Sequence, residues 1–268
     1  MKDEFKADAL IFDIDGVLLD VTKSFPEVIR RCVADGWEKF CGGVTDCAGY
    51  GPEHEWVMKR HGSFNDDYDL AWTLLSMTAA SGEKLLSYAL PSPERLTEEL
   101  ADFRAPLVEW VLGKYGGLVP RSESRAMCAE LYGDPERGLY RLEKPALSRR
   151  WDELGLPVAI YSGRNAYEWG LAKKSLGWED FPDELIIHSD HGIEKPSPEG
   201  LEILCGRIGA SSPVFFGDTA SDMKAQAACC PRPNTGSTRR RRPSPPSRRS
   251  APEHAAPAQN THLSGTRA

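Results

Sequence analysis

Short apolar runs alternate with helical patterns over residues 143–228, and one further apolar run opens the chain. ADALIFDID (7–15) is apolar at consecutive positions, the pattern of a strand buried on both faces. PVAIYSGR (157–164), ELIIHSD (184–190) and PVFFGDTASD (213–222) repeat it, each passing from apolar to small or polar residues. Between them EKPALSRRWDELGL (143–156), NAYEWGLAKKSLGW (165–178) and SPEGLEILCGRIG (197–209) read as helices, and SDMKAQAA (221–228) opens another. Strand and helix in alternation predict an α/β fold: a Rossmann-like parallel sheet with helices on both faces.

Residues 21–142 follow a different rhythm. In SFPEVIRRCVADGWEKF, Ser24 is a candidate N-cap, with Pro26 early in the helix. Phe25, Ile29, Cys32, Val33, Trp37 and Phe40 then recur near helical spacing. DDYDLAWTLLSMTAA (66–80) carries acids in its first turn, which suits a helix dipole. A third helical pattern over 93–115 is expected to break or bend at Pro106. The segment is therefore a helical insertion in the α/β core. The expected organisation is a discontinuous core of residues 1–20 and 143–228, with residues 21–142 forming a separate helical unit.

Composition fits a globular chain, with 40% hydrophobic residues in 268. No apolar run reaches the roughly 18 residues a membrane span requires. The N-terminal MKDEFKADALIFD lacks a signal-peptide core, so a cytoplasmic location is expected. Seven cysteines without CxxC pairing suit free thiols.

The net charge of −7 is unevenly spread: residues 229–268 hold eight arginines and one acidic residue, leaving −14 on the first 228. An acidic globular part disfavours nucleic acid as a partner and calls for a cation wherever phosphate is bound. The last forty residues also carry seven prolines and few large apolar residues, so disorder is expected there. Two readings of that tail stand side by side. It is a basic arm for nucleic acid or acidic lipid, or the product of a shifted reading frame in place of native sequence.

The chemistry-bearing residues gather at the ends of the expected strands. Asp13 and Asp15 end the first, Ser162 and Gly163 the second, Lys195 follows the third, and Asp218 and Asp222 follow the last. Ligands of open parallel sheets bind beyond the carboxyl ends of the strands. Two close carboxylates at a buried strand end repel unless a cation or a protonation task accounts for them. Taken singly, each residue also fits a solvated acid, a turn serine, a loop lysine or a helix-start acid. Arg164 fits a substrate contact or a surface arginine.

In order, Asp13-Ile-Asp15-Gly16, Tyr161-Ser162-Gly163-Arg164, Lys195-Pro196 and Gly217-Asp218-Thr219-Ala220-Ser221-Asp222 resemble the four motifs of the haloacid dehalogenase superfamily, subfamily IA, in its phosphoglycolate phosphatase and β-phosphoglucomutase branch. The resemblance covers residues 8–20 and about 143–228 well and the insertion less well. It implies a Mg2+-dependent phosphatase of a small phosphorylated metabolite, with 21–142 as a helical cap. Asp13 would be the nucleophile of an aspartyl-phosphate intermediate and a metal ligand. Asp15 would protonate the leaving oxygen and then activate water, with its backbone carbonyl on the metal. Asp218 would complete the metal site with Asp222 in support, and Ser162, Gly163 and Lys195 would hold the phosphoryl group. An aspartate at position 15 favours phosphoryl transfer over carbon–halogen cleavage. Asn65, Asp66 and Asp67 would meet substrate from the cap, or serve only as a solvent-exposed helix start. A phosphomutase and a catalytically impaired binding protein are the alternatives. The second is raised because the family core has a further strand and helix where the Pro/Arg tail stands. Without them the strand before Asp218 would be an uncovered sheet edge.

Overall fold

The computed structural model describes residues 6–61 and 63–229. The expectations for the basic tail fall on residues 230–268 and so lie outside the described residues.

The core sheet has four parallel strands in the order β5-β4-β1-β6. They are β1 (Ala9–Phe12), β4 (Val158–Tyr161), β5 (Ile186–Ile187) and β6 (Pro213–Phe216), while β2 (Leu19–Asp20) and β3 (Lys144–Pro145) form a separate antiparallel ribbon. The central register pairs Leu10 with Val158 and Val214, and Phe12 with Ile160 and Phe216. Period-2 geometry then divides the apolar residues between two faces. Phe12, Val158, Ile160 and Ile186 meet Trp169, Trp178 and Phe181 on one face. Ile11, Ala159, Tyr161 and Ile187 meet Leu201, Leu204 and Ala225 on the other. Each large side chain so buried contributes about 1.5–3 kcal/mol. Among the described residues β6 pairs on one side only, and its residues stay partly exposed where β4 is fully buried.

Among the described residues seven α-helices lie between β2 and β3: α1 (Phe25–Cys41), α2 (Pro52–Lys59), α3 (Asp67–Ala79), α4 (Leu86–Ala89), α5 (Pro93–Leu100), α6 (Leu107–Tyr115) and α7 (Arg121–Gly133), followed by a 3-10 turn at Leu139–Leu142. Their apolar faces form a core of their own, with Trp37, Trp72, Phe64, Leu75 and Met58 buried at its centre. The ribbon of β2 and β3 joins the entry and exit of this helical segment. The break expected at Pro106 is present, with α5 ending at Leu100 and α6 starting after Pro106. The remaining helices, α8 (Ala166–Leu176), α9 (Glu199–Ile208) and α10 (Ala220–Cys229), follow β4, β5 and β6. Among the described residues no helix is long and apolar enough to cross a membrane.

Two local expectations are corrected. Residues 143–156 do not form an α-helix: Lys144 and Pro145 pair with β2, and only a 3-10 turn follows at Trp151–Glu153. Pro145 has no N–H to give a helix, and Ala146 donates its N–H to the Leu18 carbonyl (2.9 Å). Ser24 precedes α1 as expected, but its side chain does not cap it; Oγ lies 3.1 Å from Glu143 Oε1.

Candidate active site

Parallel pairing puts the ends of β1, β4 and β6 side by side, which collects residues distant in sequence. Asp13 leaves β1 with its N–H on the Phe216 carbonyl (2.8 Å) and its Oδ1 accepting the Ile14 N–H (2.8 Å). The side chain is almost fully buried. Lys195 reaches it from the loop after β5, with Nζ 2.8 Å from Asp13 Oδ2 and 2.6 Å from Asp222 Oδ1. Asp222, in the first turn of α10, is fixed through Oδ2 by the Thr219 N–H (3.0 Å) and hydroxyl (2.5 Å). Its side chain also packs against Gly217, where a Cβ would fall 2.4 Å from the Asp222 Cβ.

Asp218 follows β6 and is exposed, yet it is held close to Gly16. A Cβ on Gly16 would lie 2.0 Å from Asp218 Oδ2, and Gly16 takes the left-handed φ of +72°. Glycine is therefore favoured by the left-handed backbone, and a Cβ here would push the Asp218 carboxylate aside. Gly16→Ala is expected to lower stability by about 1–2 kcal/mol from the φ requirement alone. It should also displace Asp218, which urea denaturation together with a metal titration would show.

One carboxylate oxygen each from Asp13, Asp218 and Asp222 falls within 4.8 Å of the others. Burial pushes Asp13 up to about 7 against the pull of Lys195, with Asp15 and Asp222 adding repulsion. One lysine thus does not neutralise the cluster. A compact all-oxygen donor set fits a hard divalent cation such as magnesium.

The raised Asp13 has a consequence for stability. Folded Asp13 keeps its proton to about pH 7, whereas an unfolded one releases it near 3.8. Between these values the folded state binds more protons, so stability falls as pH rises. With chelator present, the melting temperature of Asp13→Asn minus that of the wild type is expected to grow from about pH 4 to about pH 7 and then level. The ceiling is roughly 1.4 kcal/mol per pH unit. A flat or shrinking difference in a thermal-melt series would contradict it.

Ser162 is buried at the end of β4, its N–H on the Ile187 carbonyl (3.0 Å) and its Oγ accepting the Arg164 N–H (3.3 Å). Gly163 is exposed between them, with open space where a Cβ would be. Asp15 is partly exposed. The helical segment brings Asp67, whose carboxylate pairs with Lys59 (2.5 Å). Burial, with the charge of Asp15 among its neighbours, holds Asp67 above the usual carboxylate range. Asp66 is the N-cap of α3, accepting the Tyr68 and Asp69 N–H groups (2.9 and 3.0 Å) through Oδ1, while Oδ2 pairs with Arg125 (2.9 Å). Asn65 is exposed.

Arg164 is neither a surface arginine nor open to solvent: it is 2% exposed. Its guanidinium bonds Asp15 Oδ1 through Nε (3.0 Å) and Nη2 (2.6 Å), Glu143 Oε1 through Nη2 (3.0 Å) and the Tyr132 hydroxyl through Nη1 (2.7 Å). Glu143 and Tyr132 carried no signal in the sequence, because their partners lie far along the chain.

The haloacid dehalogenase-like hydrolase family model matches residues 7–229. The chain belongs to this family. The chain is 35% identical over 80 residues to a phosphoglycolate phosphatase of Yersinia pestis, a match covering 29% of this chain and 34% of that protein. It is 26% identical over 179 residues to a phosphoglycolate phosphatase of Pectobacterium atrosepticum, covering 61% and 76% of the two chains. The chain thus spans about a third of the Yersinia relative and about three quarters of the Pectobacterium one. Among solved structures, phosphatase Tt82 from Thermococcus thioreducens shares its fold at a TM-score of 0.54 and 24% identity, over 82% of this chain and 98% of that one.

Proposed function

We propose that this hydrolase is a magnesium-dependent phosphatase of a small phosphorylated metabolite, acting through an aspartyl-phosphate on Asp13. The observation that carries the proposal is the placement of Asp13 itself. It is a buried carboxylate at a strand end, in contact with Lys195 and inside a three-carboxylate cluster.

Asp13 attacks phosphorus through a carboxylate oxygen, and the bond from phosphorus to the leaving oxygen breaks as Asp15 gives that oxygen a proton. Water then attacks the phosphoryl group on Asp13, giving its proton to Asp15, and the bond from phosphorus to the Asp13 oxygen breaks to release inorganic phosphate and the free carboxylate. Lys195 offsets charge on Asp13 and on the phosphoryl oxygens, and Ser162 with the backbone at Gly163 holds those oxygens. Asp13, Asp218 and the backbone carbonyl of Asp15 would hold magnesium, with Asp222 orienting Lys195. The bound cation would supply neutralisation of the phosphate and of the carboxylate cluster. Residues 21–142 act as the cap over a core of 1–20 and 143–228, with the Lys59–Asp67 pair as its polar contribution near Asp15.

The relatives' names make phosphoglycolate the first compound to try. The test is phosphate release from the full chain with p-nitrophenyl phosphate and a panel of phosphorylated metabolites, with and without magnesium. Magnesium-dependent release supports the proposal. Folded, magnesium-saturated protein that releases none from any of them refutes it.

A further inference from the structure

We propose that Arg164 is the positioning residue for Asp15, holding one oxygen of that carboxylate so that the other is left to exchange the proton with the leaving group. The proposal rests on the phosphatase reading above, which gives Asp15 its proton-transfer task.

Both contacts to Asp15 fall on the same atom: Nε and Nη2 of Arg164 lie 3.0 and 2.6 Å from Oδ1. Oδ2 has no hydrogen bond among the described residues. Two donors on one oxygen fix where Oδ1 sits and leave Oδ2 clear of the arginine. The arginine is itself locked. Its side chain is 1% exposed, Glu143 Oε1 lies 3.0 Å from Nη2, and the Tyr132 hydroxyl lies 2.7 Å from Nη1. The rings of Phe25 and Tyr132, stacked 4.9 Å apart, lie within 6 Å of the guanidinium carbon.

Burying an arginine is unfavourable unless it is paired and its hydrogen bonds are met. A purely structural pair needs only Glu143, whose side chain is fully buried beside it. Asp15 is different, with about a third of its side chain exposed. The arginine therefore spends two of its donors on a group that faces solvent, which is what orienting a reactive carboxyl requires. Its other partners come from the entry and exit of the helical segment. Tyr132 lies in α7, Phe25 begins α1, and Glu143 immediately precedes β3. The orientation of Asp15 is thus set by the same residues that seat the helical segment on the core.

In the first step the proton passes from Asp15 Oδ2 to the leaving oxygen as the bond from that oxygen to phosphorus breaks. Asp15 is left as a carboxylate against Arg164. In the second step Oδ2 takes a proton from the attacking water. Losing the orientation should therefore matter most when the leaving oxygen is basic and needs the proton. It should matter least when the leaving group departs unaided.

The experiment compares kcat/KM for phenyl phosphate and 2,4-dinitrophenyl phosphate, two esters of one framework that differ in the basicity of the leaving oxygen. The proteins are full-length wild type, Arg164→Gln and Tyr132→Phe, with magnesium present. Arg164→Gln is expected to lose roughly 30-fold or more on phenyl phosphate and less than about 5-fold on the dinitrophenyl ester. Tyr132→Phe should shift the ratio the same way by about 3-fold, since it removes one of the bonds that fix the arginine. Equal losses on both esters, or none on either, overturn the proposal, because a merely structural arginine would not sort substrates by leaving group. If Arg164→Gln does not fold by circular dichroism, Tyr132→Phe decides, and an unchanged ratio overturns the proposal. A folded, magnesium-saturated wild type that releases phosphate from neither ester and from none of the phosphorylated metabolites refutes the phosphatase reading, and this proposal with it.

Discussion

Asp13→Asn is expected to reduce phosphate release by roughly 10⁴-fold or more while the protein remains folded, the scale on which removing a covalent nucleophile disables an enzyme. The asparagine keeps the size of the side chain and can still accept the Ile14 N–H that Asp13 Oδ1 takes at 2.8 Å. It loses the negative charge that faces Lys195 at 2.8 Å, and with it the oxygen proposed to attack phosphorus. Lys195 keeps Asp222 at 2.6 Å as a partner, so the buried ammonium is not stranded. That second contact is why the substitution should spare the fold. Steady-state rates for wild type and variant, matched by circular dichroism, check the expectation. A residual rate within tenfold of wild type would mean that Asp13 is not the attacking group.

Removing divalent metal with chelator is expected to lower turnover by at least about 100-fold, with recovery on adding magnesium. The carboxylate oxygens of Asp13, Asp218 and Asp222 lie within 4.8 Å, and Lys195 is paired with two of those residues. The anionic substrate proposed for this site would have to enter this acidic surrounding, and hydrated magnesium takes a few carboxylates together with phosphate oxygens. Asp218→Asn should raise the magnesium concentration for half-maximal activity by about tenfold or more, a cost of about 1.4 kcal/mol. The same site predicts a metal-dependent rise in melting temperature, since a ligand bound only to the folded state stabilises it by mass action. Full activity in excess chelator would contradict the account of the acidic cluster.

The strands were legible because a sheet covered on both faces demands uninterrupted apolar runs, and β1 and β4 have them. The candidate site was legible for a related reason: polar residues ending such runs converge when the strands are parallel. Residues 143–156 show where the pattern misleads. Leu147, Trp151 and Leu154 fall at helical spacing, and all three do pack against the sheet. They do so from an irregular segment, because pairing Lys144–Pro145 with Leu19–Asp20 fixes the chain before a helix can start. Spacing reported which side chains turn inward but not the backbone that carries them. Ser24 misled in the same way, since its residue type suits a cap but its hydroxyl lies beside Glu143, 119 residues away. Arg164 could not be placed from sequence for that reason. Its partners Asp15, Tyr132 and Glu143 come from three separate stretches, and only the folded chain brings them together.

The most direct test of the central claim is to trap the intermediate. The full chain with magnesium is mixed with phosphoglycolate or p-nitrophenyl phosphate, quenched in acid within the first turnover, and digested for mass spectrometry. The account predicts one added phosphoryl group on the peptide containing Asp13, labile to hydroxylamine and absent from Asp13→Asn. Turnover with no phosphorylated peptide at any quench time, or a phosphoryl group on another residue, would contradict it.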